Sequence, residues 1–162
     1  MDVGAKVRLH EVGSGPSAEG RPILLATIGA PFDEEAAVFA VDSAVEAGQP
    51  LIVANISALE PLGLSIMLGY DALEEFTPEV TASVRRPVEL AHSLGVSVER
   101  LRIRSPRPIK ALVELAAERR PGMLVFGADR RGLAPRTYRR AVRAIREGAG
   151  CLIWVGPEPT AP

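Results

Sequence analysis

The chain has few groups that could do chemistry, and their spacing removes most of the options. His10 and His92 are its two histidines. They are far apart, the pattern suggests no acidic or Cys partner for either, and a metal site is not expected. Cys151, the single cysteine, opens the apolar run CLIWV (151–155). It reads as a small hydrophobe rather than a nucleophile, and it excludes a disulfide framework or thiolate cluster within one chain. Asp33-Glu34-Glu35 and Glu74-Glu75 read as helix starts and solvated faces, where acids complement the helix dipole. Gly13-Ser14-Gly15-Pro16-Ser17-Ala18 spells the dinucleotide fingerprint, but SAEGRP offers no helix N-terminus to meet a pyrophosphate. No catalytic set assembles, so the chain is not expected to be an enzyme.

Arginine is the group left over. Residues 1–84 hold 3 basic and 13 acidic side chains, and residues 85–162 hold 16 basic and 7 acidic ones. The net charge of −1 therefore hides a strong polarity, which hints at an anionic ligand although most such faces are merely solvated. Seven arginines fall between 130 and 146, with Tyr138 the one aromatic among them, phased toward the core. Without stacking platforms, nucleic acid is not an expected partner.

The elements that would carry these residues follow from hydrophobic pattern. ILLATI (23–28), LIVANI (51–56), MLVFG (123–127) and CLIWV (151–155) are near-continuous apolar runs of strand length, as buried parallel strands are. LRIR (101–104) alternates, which places it at a sheet edge. Residues 34–48 form a helix capped by Asp33 and stopped by Gly48, with Val38, Val41 and Val45 at helical spacing. A second helix starts with Pro78 after Thr77 and ends near Leu94; Pro87 should kink or split it. Two more run over 107–120, with Ile109, Leu112, Val113 and Ala116 on one face, and over 136–147, with Tyr138, Val142 and Ile145 inward. Strands separated by helices imply right-handed parallel crossovers. The expected fold is a single doubly wound α/β domain, Rossmann-like or flavodoxin-like, with a five-stranded parallel sheet in the order 3-2-1-4-5 and helices on both faces. Ligands of such sheets bind beyond the strand C-termini where the order reverses, here near Gly29–Pro31 and Gly127–Pro135.

Residues 1–21 read as a flexible lead-in, 22–156 as the domain, and 157–162 as a Pro-rich tail. The apolar 62–76 stretch reads as a short helix docked on the core, or as a lid or partner patch. No signal-peptide core and no run near the ~18 apolar residues of a membrane span are visible, so a cytoplasmic location is expected. The last strand, Cys151, Leu152, Ile153, Trp154 and Val155, is an apolar edge that invites homodimerisation, with an intramolecular cover as the competing reading.

GADRRGLAPRTYRRAVRAIREGAGCLIWV (127–155) resembles the C-terminal third of the universal stress protein (UspA-like) family. The likeness extends over about 22–156: residues 23–57 are similar to the family's first strand–helix–strand unit, and 105–127 to its third helix and fourth strand. The family's nucleotide-binding members carry G-x-x-G, nine residues, then G-[ST], because glycine turns let backbone N–H groups approach phosphates. Here Gly127 fits the first glycine, followed by Arg130, Arg131 and Gly132; the second position falls on Arg130, the third on Arg140 and the hydroxyl on Ala141. The acidic residue that ends the family's first strand is replaced by Ile28, before Gly29. The resemblance thus implies a stress-response regulatory or interaction module of the non-ATP-binding branch, without a cofactor. Its alternative is a sensor in which Arg130, Arg131 and Arg140 hold a phosphate-bearing anion.

Overall fold

The structure, a computed structural model, describes residues 7–12, 20–58 and 78–156. Its strands are β1 (Val7–Val12), β2 (Ile23–Ile28), β3 (Leu51–Ala58), β4 (Val98–Ser105), β5 (Met123–Phe126) and β6 (Leu152–Val155). Four α-helices join them among the described residues: α1 (Glu34–Ala47), α2 (Pro78–Ser93), α3 (Pro108–Arg119) and α4 (Pro135–Gly148). The sheet order is β1-β4-β3-β2-β5-β6. From β4 to β6 every pairing is parallel, so this part is the expected 3-2-1-4-5 sheet.

Two cores follow from the apolar runs. All six residues of β2 are buried, and they divide by parity. Leu24, Ala26 and Ile28 join Leu112, Leu115, Tyr138 and Ile145 beneath α3 and α4. Ile23 and Leu25 join Val41, Val84 and Val88 beneath α1 and α2. Burial on both faces leaves no polar alternation, which is why these strands read as continuous apolar runs.

Two edge assignments change. LRIR lies in β4, which is interior: β1 pairs with it antiparallel, from Val7 opposite Arg104 to Val12 opposite Glu99. Residues 7–12 of the expected lead-in thus form a strand. The alternation in β4 has another cause than an exposed edge. Leu101 and Ile103 are buried under α3 and α4, while Arg100, Arg102 and Arg104 are half-buried on the other face.

The helices show two further differences. Asp33 caps α1, its Oδ2 accepting from the Ala36 N–H at 3.0 Å, and Gly48 ends it at φ 62°. The buried face is Ala36, Ala37, Ala40, Val41 and Ala44, whereas Val38 and Val45 are 41% and 43% exposed. Of the three valines only Val41 faces the sheet, because methyl side chains fill the rest of that face and let the helix axis approach closely. Pro87 does not split α2, which runs unbroken through it with the proline ring buried. The missing N–H costs one intrahelical bond, and burial of the ring offsets part of that loss. Thr77 and the 62–76 segment lie outside the described residues, as does the 157–162 tail.

Candidate functional site

The order reversal falls between β2 and β5, and the loops leaving these two strands meet there. Gly29 donates its N–H to the Ile56 carbonyl at 2.7 Å. The buried Thr27 hydroxyl donates to the buried Ala30 carbonyl at 2.8 Å, which fixes the turn after β2. That turn reaches across to the loop after β5. Asp33 donates to the Gly127 carbonyl at 2.8 Å and Asp129 to the Pro31 carbonyl at 2.9 Å, so that Phe32 and Ala128 form an isolated antiparallel bridge. Main-chain bonds therefore tie the two loops together at this point, and a cavity of about 720 Å³ lined by Phe32, Ser83, Asp129 and Arg131 opens beside them.

The loop after β5 spends its donors internally. Gly127 N–H goes to Ala26 (2.9 Å), Gly132 N–H to Asp129 (2.9 Å) and Leu133 N–H to Arg130 (3.4 Å). Arg131 N–H goes to the Asp129 carboxylate (3.0 Å). Residues 130–132 thereby close into one 3-10 turn with Asp129 as its cap. A phosphate cradle needs these N–H groups pointing outward, unspent.

The two loop glycines are explained by packing. A Cβ on Gly127 would lie 2.8 Å from Leu25 Cδ1 and 3.2 Å from Ala36 Cβ. One on Gly132 would lie 3.0 Å from Ala30 Cβ and 3.2 Å from Pro31 Cδ. Both positions let the loop lie against the β2 side of the site.

The arginines are not brought together. Arg130 is half-buried, its guanidinium 4.3 Å from the centre of the Tyr138 ring, and it donates to the Gly156 carbonyl at 3.3 Å. Arg131 turns back on Asp129 in a two-pronged pair at 3.2 and 3.0 Å. These hydrogen bonds hold the Asp129 carboxyl below its ordinary pKa and push the Arg131 guanidinium higher still. Arg140 and Ala141 lie inside α4, which begins at Pro135, before the position the nucleotide motif gives its third glycine. Ala141 is fully buried in the core and Arg140 is exposed on the opposite side. Ile28 is a core residue, 4% exposed.

The sequence reading missed the three buried polar residues of β2 and β3: Thr27, Asn55 and Ser57. Thr27 and Asn55 are register partners near the C-terminal ends of β2 and β3. Asn55 Oδ1 and Ser57 Oγ are buried without a hydrogen-bond partner. Their signal was available as polar letters interrupting ILLATI and LIVANIS. The candidate edge is also in place. Leu152 is 68% exposed, and the Trp154 ring stacks on Phe39 of α1 with centroids 4.6 Å apart. Burial raises the Cys151 thiol pKa. Among the described residues no group of His, Cys, Asp and Glu could hold a metal ion, and no helix is long and apolar enough to cross a membrane.

A sequence profile of the universal stress protein family matches residues 20–141. The chain belongs to that family. Solved structures agree on the fold. UspA from Lactobacillus plantarum superposes on this universal stress protein with a TM-score of 0.64 at 14% identity, covering 86% of this chain and 99% of that one. A universal stress protein in complex with cAMP gives 0.59 at 19% identity, covering 86% and 98%. The universal stress protein from Archaeoglobus fulgidus in complex with dAMP gives 0.53 at 17%, covering 84% and 97%. No curated protein sequence matches the chain. At these identities the structural likeness speaks for the α/β Rossmann-like fold of the universal stress protein, and the profile for its family.

Proposed function

We propose that this universal stress protein is a regulatory or interaction module of the stress response, not an enzyme, and that it belongs to a branch without ATP binding. The carrying observation is the closed loop pair: Gly127, Asp129, Arg131, Gly132 and Leu133 all spend their N–H groups within the protein. Nucleotide-bound relatives show what the fold can hold, but here guanidinium side chains and an early α4 stand where the motif glycines would be. A melting series with ATP, ADP, AMP, cAMP and dAMP tests this. The expected result is no rise in melting temperature beyond sodium sulfate controls. A saturable rise with any of the five would overturn it, since a ligand specific to the folded state must stabilise it.

A second reading has one observation in its favour. Asn55 Oδ1 and Ser57 Oγ are buried and unpartnered beside the crevice, and each such group costs roughly 1–3 kcal/mol until something satisfies it. In that reading the protein senses a phosphate-bearing anion or nucleotide, with Arg130 and Arg131 on its phosphate. A saturable stabilisation lost in both Asn55→Leu and Arg131→Ala would support it; a shift that survives both substitutions would sink it.

We also propose a homodimer joined through β6, whose outer edge has no strand partner among the described residues. Cys151, Leu152, Ile153, Trp154 and Val155 would then line the interface. Sedimentation at increasing concentration should show a dimer that Ile153→Pro abolishes; a monomer throughout the range would end the proposal. The expected cytoplasmic location is part of the same proposal.

A further inference from the structure

Part of the charge polarity of the sequence becomes a polarity between two helices, α1 and α4, on opposite faces of the sheet. On one face of the sheet, α1 exposes Glu34, Glu35, Asp42 and Glu46 and contains no basic residue. On the opposite face, α4 exposes Arg136, Arg139, Arg140, Arg143 and Arg146. At 100° per residue these five lie within an arc of about 120° and along about 15 Å of helix. Tyr138, Ala141 and Ile145 occupy the buried side of the same helix. Glu147 is the one carboxylate on the arginine arc. None of the five arginines forms an ion pair or a side-chain hydrogen bond with another described residue. Arg107, which precedes α3, and Lys110, which pairs with Glu114 on α3 at 3.9 Å, are exposed in the same layer.

Five like charges on one short arc repel one another, and among the described residues of that arc only Glu147 opposes them. An external polyanion would. The arrangement is linear, with a guanidinium about every 4 Å on average along the axis, and double-stranded nucleic acid offers a phosphate about every 3.4 Å along each strand. Guanidinium groups match phosphate oxygens in a two-pronged geometry. A membrane surface fits less well, because the apolar side of α4 is already spent in the core and leaves nothing to insert. The absence of exposed aromatic side chains on this face removes base stacking, and therefore single-strand recognition, but leaves backbone contact untouched.

We propose that the exposed face of α4 docks on the phosphodiester backbone of double-stranded nucleic acid without reading its bases. The acidic α1 face would be repelled and would turn the arginine face toward the duplex.

The test is fluorescence anisotropy of the full chain with a labelled DNA duplex of about 20 base pairs, from ~25 to ~200 mM KCl. With four to five phosphates neutralised, log Kobs should fall against log[salt] with a slope of about −4, roughly a 250-fold loss between 50 and 200 mM. Arg136→Ala/Arg140→Ala/Arg143→Ala should flatten the slope to between about −1 and −2. The corresponding triple Lys variant should keep it, and neither variant should lose melting temperature, since all three positions are exposed. A duplex of scrambled sequence should bind equally well. Four outcomes would overturn the proposal: no binding at the lowest salt, a slope unchanged in the triple Ala variant, strong sequence preference, or tighter binding to phosphatidylglycerol vesicles or polyglutamate than to the duplex.

Discussion

Thr27→Val removes one hydroxyl and keeps the shape of the side chain, so it isolates the bond that fixes the turn after β2. Thr27 and Ala30 are both fully buried, and the hydroxyl reaches the Ala30 carbonyl at 2.8 Å. Water cannot replace the lost donor, so the substitution should cost about 1–3 kcal/mol. For a chain of this size that is roughly a 2–12 °C fall in melting temperature, at about 2–4 °C per kcal/mol. The same turn presents Pro31, whose carbonyl accepts from Asp129 across the crevice. Amide exchange at Asp129 should therefore accelerate about 5–30-fold, the population change that 1–2 kcal/mol produces. Thr27→Ser keeps the donor and loses a methyl group, so it should soften the core without speeding exchange at Asp129. Urea unfolding followed by Trp154 fluorescence gives the stability, and exchange by NMR gives the local effect. A Val variant within about 0.5 kcal/mol of the parent, with Asp129 exchange unchanged, would refute the idea that this hydroxyl helps hold the two loops together.

Two other outcomes follow from the site and the edge. Arg131 hydrogen-bonds to Asp129 and lowers its pKa, so the pair stabilises the fold above the unfolded-state pKa of the carboxyl and stops doing so as pH falls through the lower folded value. In Arg131→Ala the Asp129 carboxyl should titrate higher by NMR, and the stability gap between parent and variant should close toward pH 2. Trp154→Ala removes the stack on Phe39 and should cost about 2–3 kcal/mol, part aromatic contact and part lost burial. Equal urea midpoints for parent and variant would show that β6 is held by its pairing with β5 alone.

Much of the fold was legible because burial on both faces of β2, β3 and β5 writes itself as near-continuous apolar runs. Asp33 and Gly48 marked the ends of α1 by the chemistry of caps, which is local. The pairing of β1 with β4 was not legible: it joins residues about ninety positions apart, and no local pattern in either segment announces the other. The side of α1 that faces the sheet was misread because alanine carries little hydrophobic signal, while Val38 and Val45 carry a strong one and point outward. At the site, the loss of motif glycines could be read directly from Arg130 and Arg140. Where the arginines go could not, because that depends on α4 starting at Pro135 and placing Arg140 on its outer side. Asn55 and Ser57 were passed over as strand residues, and their unmet hydrogen-bonding capacity is visible only once their neighbours are known.

The alanine face of α1 makes the two halves of the protein vulnerable to opposite kinds of mutation. Ala36, Ala37, Ala40 and Ala44 have almost nothing to lose by truncation and lose almost no rotamer freedom when the helix docks. Damage to that layer must come from added atoms, which would lift α1 off the sheet and pull Asp33 away from Gly127. Beneath α3 and α4 the filling is Leu112, Leu115, Phe126 and Ile145, where removed atoms leave voids worth about 2–5 kcal/mol each. A scan that only shortens side chains would find α1 sensitive at Phe39 and Val41 and at little else, and a scan that only enlarges them would find it the most intolerant of the four described helices.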